Sequence, residues 1–308
     1  MSGPARRVVS LVPAGTEIVA SLGMLDCLVG VSHECDYPEE VSGKPRVTRC
    51  EIHGSGLKSE QVDGWVRDRL RASGTLYTMD EALVRGLQPD AILTQRLCDV
   101  CAVAYGTVAR FAATLPGPPH VVNLEPSSVE DILRDVCTVG DVLGVPQRAE
   151  AVVASLRARI EAVRARAAGA PPRRCVLLEW IDPPFSAGHW GPELIEVAGG
   201  VDPVGRRGSD SVAIPWEAVV QAAPEVIVVA CCGYTVERAL LDLPILRSRP
   251  GFGFLPAARS SEVYVVDGSA YFSRPGPRIV DSLEILAEIL HPELFGGRFP
   301  ARGVVRAG

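Results

Sequence analysis

The chain has 308 residues, 47% of them hydrophobic and 22% charged, with a formal net charge of −6 at neutral pH. That length exceeds what one hydrophobic core ordinarily serves, so two domains are expected, each with enough apolar material for a sizeable core. The acidic balance argues against nucleic acid as a partner, and no apolar run approaches a membrane span, so no membrane insertion is expected.

The N-terminus, MSGPARRVVSLVPAG, passes from two arginines straight into a strand pattern, without the apolar stretch and cleavage site of a secretory signal. A cytoplasmic location is therefore expected as written, and a periplasmic or lipid-anchored one if a signal segment has been trimmed. RRVVSLVP reads as a short buried strand and AGTEIVASLG as a helix with Thr16 near its start and Gly23 at its end. CLVGVSHECDYP is a second strand that runs into a polar loop carrying His33, Cys35, Asp36 and Tyr37. Residues 43–60, rich in Gly, Lys, Arg and Ser, read as a long loop, and helical patterns follow over 60–72 and 79–87. DAILTQ is a third strand, opening into RLCDVCAVAYGTVARFAATL, a loop and a helix. HVVNLEP is a fourth strand, and SSVEDILRDVCTVGDVLG a helix begun by Ser127 or Ser128. Strands alternating with helices imply a parallel sheet whose functional loops lie at the carboxyl ends of the strands.

From Pro146 to Gly169 runs the longest uninterrupted helical pattern, with Val152, Val153, Leu156, Ile160 and Val163 at helical spacing. Pro146 suits a first helical turn, and Gly169 with Pro171 and Pro172 ends it. Such a helix is roughly 33 Å long. It can bridge two domains or lie on the surface of one. After it the scheme restarts: RCVLLEW is a strand leading to the loop IDPPFSAGHWG, followed by a helix in PELIEVAGG and another in WEAVVQAA. PEVIVVACCGY is a strand and loop, TVERALLDLPILRSR a helix, SEVYVVDGSAYFSRPGP a strand and loop, and RIVDSLEILAEILHPELF the closing helix. The expected fold is α/β, two Rossmann-like lobes with parallel-rich sheets joined by one long helix. The boundaries are 1–145 for the N-terminal lobe, 146–170 for the connecting helix and 171–308 for the C-terminal lobe.

Nine cysteines form an odd set, which fits reduced thiols better than a disulfide framework. The pair Cys98-x-x-Cys101 points to zinc, an iron–sulfur centre or a redox pair, or to thiols that pack the start of a helix. A closed four-ligand site would have to borrow His33, Cys35, Cys231 or Cys232 across loops. There is no G-x-S-x-G elbow, no P-loop and no H-E-x-x-H, and the adjacency of His33, Cys35 and Asp36 is not a triad geometry. A binding protein rather than an enzyme is expected, with a thiol-dependent metallochaperone or enzyme as the alternative.

The segments RVVSLVPAGTEIVASLG, LVGVSHECDYP, LQPDAILTQ, PWEAVVQAAPEVIVV and VYVVDGSAYFSRPGPRIVDSLEILAEILHPELF together resemble the cobalamin-binding proteins of ABC importers. These belong to the wider group of periplasmic binding proteins for cobalamin, siderophores and haem, with two lobes joined by a single helix. The resemblance follows the family's element order over nearly the whole chain. It implies a substrate-binding protein that holds cobalamin or a related corrinoid in a cleft between its lobes and works with an ABC permease. The alternative ligands are haem, an iron chelate or a metal ion held by Cys and His. It also implies one surface carboxylate per lobe for docking the permease, and Glu81 and Glu217 match best; a carboxylate capping a helix start explains both equally well.

In such a cleft the first lobe contributes Ala14, Gly15, Thr16, His33, Cys35, Asp36, Tyr37 and Gln95. The second contributes Trp180, Phe185, His189, Trp190, Tyr234, Tyr271 and Arg274. Aromatic rings able to cover a flat macrocycle, with a few placed polar groups, are how pockets hold bulky ligands, although each ring taken singly also suits core packing. His33, Cys35, Cys98, Cys101 and His189 are the candidate metal ligands, and His33 and His189 the favoured axial donors to cobalt.

Overall fold

The computed structural model describes residues 3–50, 57–73, 76–96, 102–296 and 303–308. From the N-terminus its elements are β1 (Val8–Ser10), α1 (Pro13–Ser21), β2 (Leu28–Val31), β3 (Thr48–Cys50), α2 (Ser59–Ser73) and β4 (Tyr77–Met79). Then come α3 (Glu81–Leu87), β5 (Ala91–Thr94), α4 (Tyr105–Ala112), β6 (His120–Asn123), α5 (Val129–Leu143) and α6 (Pro146–Ala167). The second half holds β7 (Arg173–Trp180), β8 (Phe185–Ser186), β9 (Gly188–His189), α7 (Gly191–Val197), β10 (Gly200–Val201), β11 (Arg206–Arg207) and α8 (Trp216–Ala222). It ends with β12 (Val226–Val229), α9 (Val236–Arg247), α10 (Pro256–Arg259), β13 (Val263–Val266), α11 (Ile279–Leu290), α12 (Pro292–Phe295) and β14 (Val304–Arg306). Among the described residues no helix is long and apolar enough to cross a membrane.

Described residues within Met1–Gly56, Gly64–Pro126 and Glu130–Ser155 form one compact unit, and those within Leu57–Asp63, Ser127–Val129 and Leu156–Gly308 a second. The division in the middle of the chain falls inside α6, between Ser155 and Leu156. The N-terminal unit is built on a four-stranded parallel sheet in the order β2-β1-β5-β6. β1 and β5 are buried along their whole length, as apolar strands covered on both faces must be. Val9 and Ile92 of the sheet pack with Val84 of α3 and with Val108 and Phe111 of α4. Gly15 lets α1 lie close against the sheet, since a Cβ there would stand 2.9 Å from Ser10 Oγ and 3.1 Å from Leu93 Cβ.

The C-terminal unit has a sheet in the order β10-β7-β12-β13-β14, with β8 on the flank of β7. Its strands run parallel except for β14, antiparallel to β13, and β8, antiparallel to β7. Val176, Leu178, Ile227, Val229, Val263 and Val265 of the sheet meet Trp216 and Val219 of α8 and Leu243 and Leu246 of α9. Full burial of an aliphatic side chain of this kind contributes about 1.5–3 kcal/mol. In the same unit Arg159, from the second half of α6, pairs with Asp281 at 2.5 Å and Glu284 at 2.9 Å on α11.

The mixed α/β architecture with parallel-rich sheets agrees with the expectation from the sequence. Several small elements differ. Residues expected to be a long loop include β3, which pairs antiparallel with β4. The loop after Trp180 contains β8 and β9, the latter paired in parallel with β11, and β14 was not foreseen. The first helix begins at Pro13, one residue before the expected AGTEIVASLG, with proline in the first-turn position that its missing N–H suits.

Candidate functional site

In the N-terminal unit β2 ends at Val31 and delivers Ser32 to Tyr37 to the carboxyl edge of the sheet. Ser32 and Thr48 are both buried. Thr48 Oγ1 donates to Ser32 Oγ at 3.0 Å and accepts the backbone N–H of His33 at 3.1 Å. The same oxygen lies 2.8 Å from His33 Nδ1. With its own proton directed to Ser32, Thr48 accepts from the ring, which puts the His33 proton on Nδ1 and leaves Nε2 as the basic nitrogen. The imidazole also lies against the Tyr77 ring, 5.5 Å between centroids, and Tyr77 OH donates to Glu34 Oε1 at 2.9 Å.

The other first-lobe candidates divide. Thr16 is fully buried, its hydroxyl 3.1 Å from Cys35 Sγ, so it ties α1 to the Cys35 loop and does not cap the helix. Cys35 is itself buried, and its carbonyl accepts from Arg46 Nη1. Ala14 and Gly15 are buried in the first turn of α1, Gln95 is buried just past β5, and Asp36 and Tyr37 are exposed. Cys98 and Cys101 lie outside the described residues. Among the described residues no group of three or more His, Cys, Asp or Glu side chains is placed to hold a metal ion. Cys231 is buried and Cys232 exposed, both with free thiols.

In the C-terminal unit the carboxyl ends of β7 and β12 bring Trp180 and Tyr234 together, ring centroids 4.8 Å apart and tilted by 49°. Trp180 Nε1 donates to the Asp182 carbonyl at 3.1 Å, which holds the indole in place. Phe185 is the register partner of Trp180 across the β7–β8 pair, and directly opposite residues project to the same face. Three half-buried aromatic rings therefore share one strand end. The loop that carries Tyr234 packs against the turn after β13, where only glycine fits at 268: a Cβ there would come within 2.1 Å of the Cys231 carbonyl oxygen. In that turn Tyr271 lies under the Arg278 guanidinium, 5.5 Å away, and Arg274 is buried with Nη2 3.4 Å from Ser269 Oγ.

His189 and Trp190 go different ways. His189 has a left-handed backbone, φ 48°, and its Nε2 stands 3.2 Å from Asp210 Oδ1. Trp190 is buried at the start of α7, and its Nε1 donates to the Phe272 carbonyl at 3.1 Å. Its indole is thereby tied to the turn that follows β13. Glu179 accepts the Gly188 N–H at 2.9 Å, and burial pushes its carboxyl up to about 7. Burial likewise pushes Asp202 up to about 6, against the backbone N–H groups of Val204 and Gly205 that it accepts. Glu81 and Glu217, the expected docking carboxylates, are exposed in the first turns of α3 and α8.

Sequence reasoning missed Thr48, Asp210 and Arg238. Arg238 lies 4.2 Å over the Tyr234 ring and donates to its hydroxyl at 3.1 Å. The four-residue offset from Tyr234 at the start of a helical pattern is the one signal that pointed to it; Thr48 and Asp210 are brought in by tertiary contacts and carry no local signature.

The chain matches the Periplasmic binding protein family over residues 8–270. The Vitamin B12-binding protein of Vibrio cholerae is 23% identical over 285 residues, covering 91% of this chain and 87% of the relative. The uncharacterized ABC transporter substrate-binding lipoprotein YvrC of Bacillus subtilis is 23% identical over 297 residues, covering 94% and 81%. Among solved structures, a periplasmic haem-binding protein from Pseudomonas aeruginosa superposes with a TM-score of 0.71 at 21% identity over 94% of each chain. The periplasmic vitamin B12-binding protein of Vibrio cholerae does so with a TM-score of 0.67 at 19% identity, over 94% of this chain and 98% of that one. At these identities the structural likeness carries the fold alone, and the family match carries the assignment: the chain belongs to the periplasmic binding protein family, the substrate-binding components of ABC importers, which take a small molecule and work with a permease.

Proposed function

We propose that this chain binds cobalamin or a related corrinoid through the carboxyl-end loops of its sheets. The observation that carries the reading is the grouping of Trp180, Tyr234 and Phe185 at the ends of β7, β12 and β8. A corrinoid is a broad disc with apolar faces and amide-bearing edges, and clustered rings match the faces while nearby polar groups match the rim. Ser32, His33 and Gln95 on the first lobe and Arg274 on the second are the candidate rim partners. The relatives named as vitamin B12-binding proteins support the same ligand class. Haem or an iron chelate is the second reading, favoured by His33, whose Nδ1 is engaged by Thr48 so that Nε2 is the donor nitrogen, and by the haem-binding structural neighbour.

Titration with hydroxocobalamin and, separately, with haem, followed by absorbance and calorimetry, tests the choice. Saturable heat and a spectral change with the corrinoid support the first reading; a Soret shift with haem and no corrinoid response moves the assignment to the second. Glu81 and Glu217 are proposed as the permease-docking carboxylates on the strength of their exposure and their first-turn positions. For location, the relatives' names, periplasmic and lipoprotein, support an exported or lipid-anchored protein over a cytoplasmic one. Fractionation of cells expressing the native gene decides between them.

A further inference from the structure

Asp242 on α9 is 1% exposed, a rare setting for a carboxylate. A single oxygen, Oδ2, accepts the backbone N–H of Ser59 at 3.0 Å, Arg238 Nη1 at 2.9 Å and the Ser59 hydroxyl. Ser59 is the first residue of α2 and is completely buried. A carboxylate from elsewhere in the fold thus caps this helix, where unpaired N–H groups and the helix dipole both favour negative charge. Arg238 extends the cluster in the other direction. Its Nη2 donates to the Leu57 carbonyl and to Tyr234 OH, and its guanidinium covers the Tyr234 ring that meets Trp180. Burial pushes the Tyr234 hydroxyl up to about 12, so it remains a neutral partner in this chain of contacts.

Leu57–Asp63 belongs to the same compact unit as α9, although the described residues up to Cys50 and from Gly64 belong to the other. The attachment described runs through one carboxylate and one guanidinium. A buried ion pair is a weak source of stability compared with apolar residues of the same volume, and its best-attested use is to fix a register or a switch. We propose that Asp242 is a positioning residue: it latches Leu57–Asp63 to α9 and, through Arg238, sets the Tyr234 ring against Trp180, so that the geometry of this aromatic pair depends on the docking of that segment. The consequence for ligand affinity rests on the reading, given above, that Trp180 and Tyr234 contact the ligand; the latch itself does not.

The test compares the unliganded wild type with Asp242→Asn and Ser59→Pro. Proline at a first helical position leaves the helix intact while removing both Ser59 donors, so this variant keeps the test open if the charge change at 242 unfolds the lobe. The exposed Glu237→Gln, on the same helix, is the control. Both test variants are expected to raise amide exchange over residues 60–63 by at least about tenfold, the smallest loss expected for a charged hydrogen bond, with β12 amides unchanged. Both are also expected to shift the Trp180 emission, read as the difference from the same variant carrying Trp180→Phe. Unchanged exchange, or faster exchange with unchanged Trp180 emission, overturns the proposal. Corrinoid affinity is then measured on the same variants: a wild type that binds neither corrinoid nor haem defeats the functional reading while the exchange and emission results still decide the latch. A wild type that binds with the same affinity as both variants overturns the coupling to ligand.

Discussion

The two units place unlike chemistry at the same position of similar sheets. At the carboxyl edge of β2-β1-β5-β6 stand small hydroxyls and an imidazole: Ser32, Thr48, His33 and Thr94. At the carboxyl edge of β7 and β12 stand rings, Trp180, Phe185 and Tyr234, and the same unit holds the half-buried Glu179 and Asp202, whose carboxyls burial pushes up. Parallel strands crossed by helices determine where loops emerge, and the loops determine what is recognised. One sheet edge carries hydrogen-bonding groups and the other carries aromatic surface.

The sharpest way to break that contrast is within the second unit, where two tryptophans ten residues apart in sequence differ in burial, Trp180 half-buried and Trp190 buried. Trp190→Ala removes a buried ring and its bond to the Phe272 carbonyl, and is expected to cost about 3–5 kcal/mol of stability, measured by denaturant unfolding. A stable Trp190→Ala protein that had lost only ligand affinity would make this ring a ligand contact instead. The next effect concerns the carboxyls of Glu179 and Asp202. Because Glu179 has its folded pKa raised from 4.5 to about 7, the native state holds a proton that the unfolded chain has released between those values. Stability contributed by this proton is therefore full below about 4.5 and declines as pH rises through about 7, by up to about 3 kcal/mol. Asp202 adds a loss of the same sign between 3.8 and about 6, and Asp135 in the first unit one between 3.8 and about 7. Glu179→Gln keeps the shape and should flatten the part of the decline between pH 5 and 7, read from unfolding midpoints across that range.

The alternation of apolar strands with helices was enough to read the α/β class and nearly all the long elements, because β1, β5, β7, β12 and β13 are runs of Val, Ile and Leu that only a covered sheet accommodates. What stayed hidden are strands of two or three residues. β8, β9, β11 and β3 are too short to show an alternation and exist because a partner is in register beside them. The same limit applies to the candidate site. Trp180, Phe185 and Tyr234 sit just past or beside a readable strand, whereas nothing local in the sequence shows that Trp190, beside the two-residue β9, is buried. Cys35 and Thr16 looked like loop ligands in sequence; in space they bond to each other under α1.

Trp180→Ala measures the contact-area side of the contrast directly. The ring is half-buried with its indole N–H already satisfied by the Asp182 carbonyl, so truncation removes surface more than it disrupts the fold. Corrinoid affinity is expected to fall by roughly 1–3 kcal/mol, with a smaller change in unfolding midpoint than Trp190→Ala produces. Equal losses of affinity from Trp180→Ala and from the exposed Tyr37→Ala would mean that neither ring is part of a defined wall.

The smallest expected effect probes the polar side. Thr48→Val keeps the side-chain volume but removes the oxygen that accepts from both the backbone N–H and the ring of His33. About 1 kcal/mol of stability should be lost, since one neutral hydrogen-bonded centre is exchanged for an apolar one. The larger consequence is chemical: without Thr48 as acceptor, the imidazole loses the partner that holds its proton on Nδ1, and the other tautomer becomes populated. Nitrogen-15 chemical shifts of the His33 ring in the unliganded protein read this directly, and Thr48→Ser, which restores the oxygen, should return the wild-type pattern. If His33 contributes an axial nitrogen to cobalt or iron, Thr48→Val will also alter the visible spectrum of the bound ligand while leaving the Trp180 contribution to affinity intact. A wild-type spectrum in a variant with a demonstrably changed tautomer would instead assign His33 to the rim of the ligand rather than to its metal.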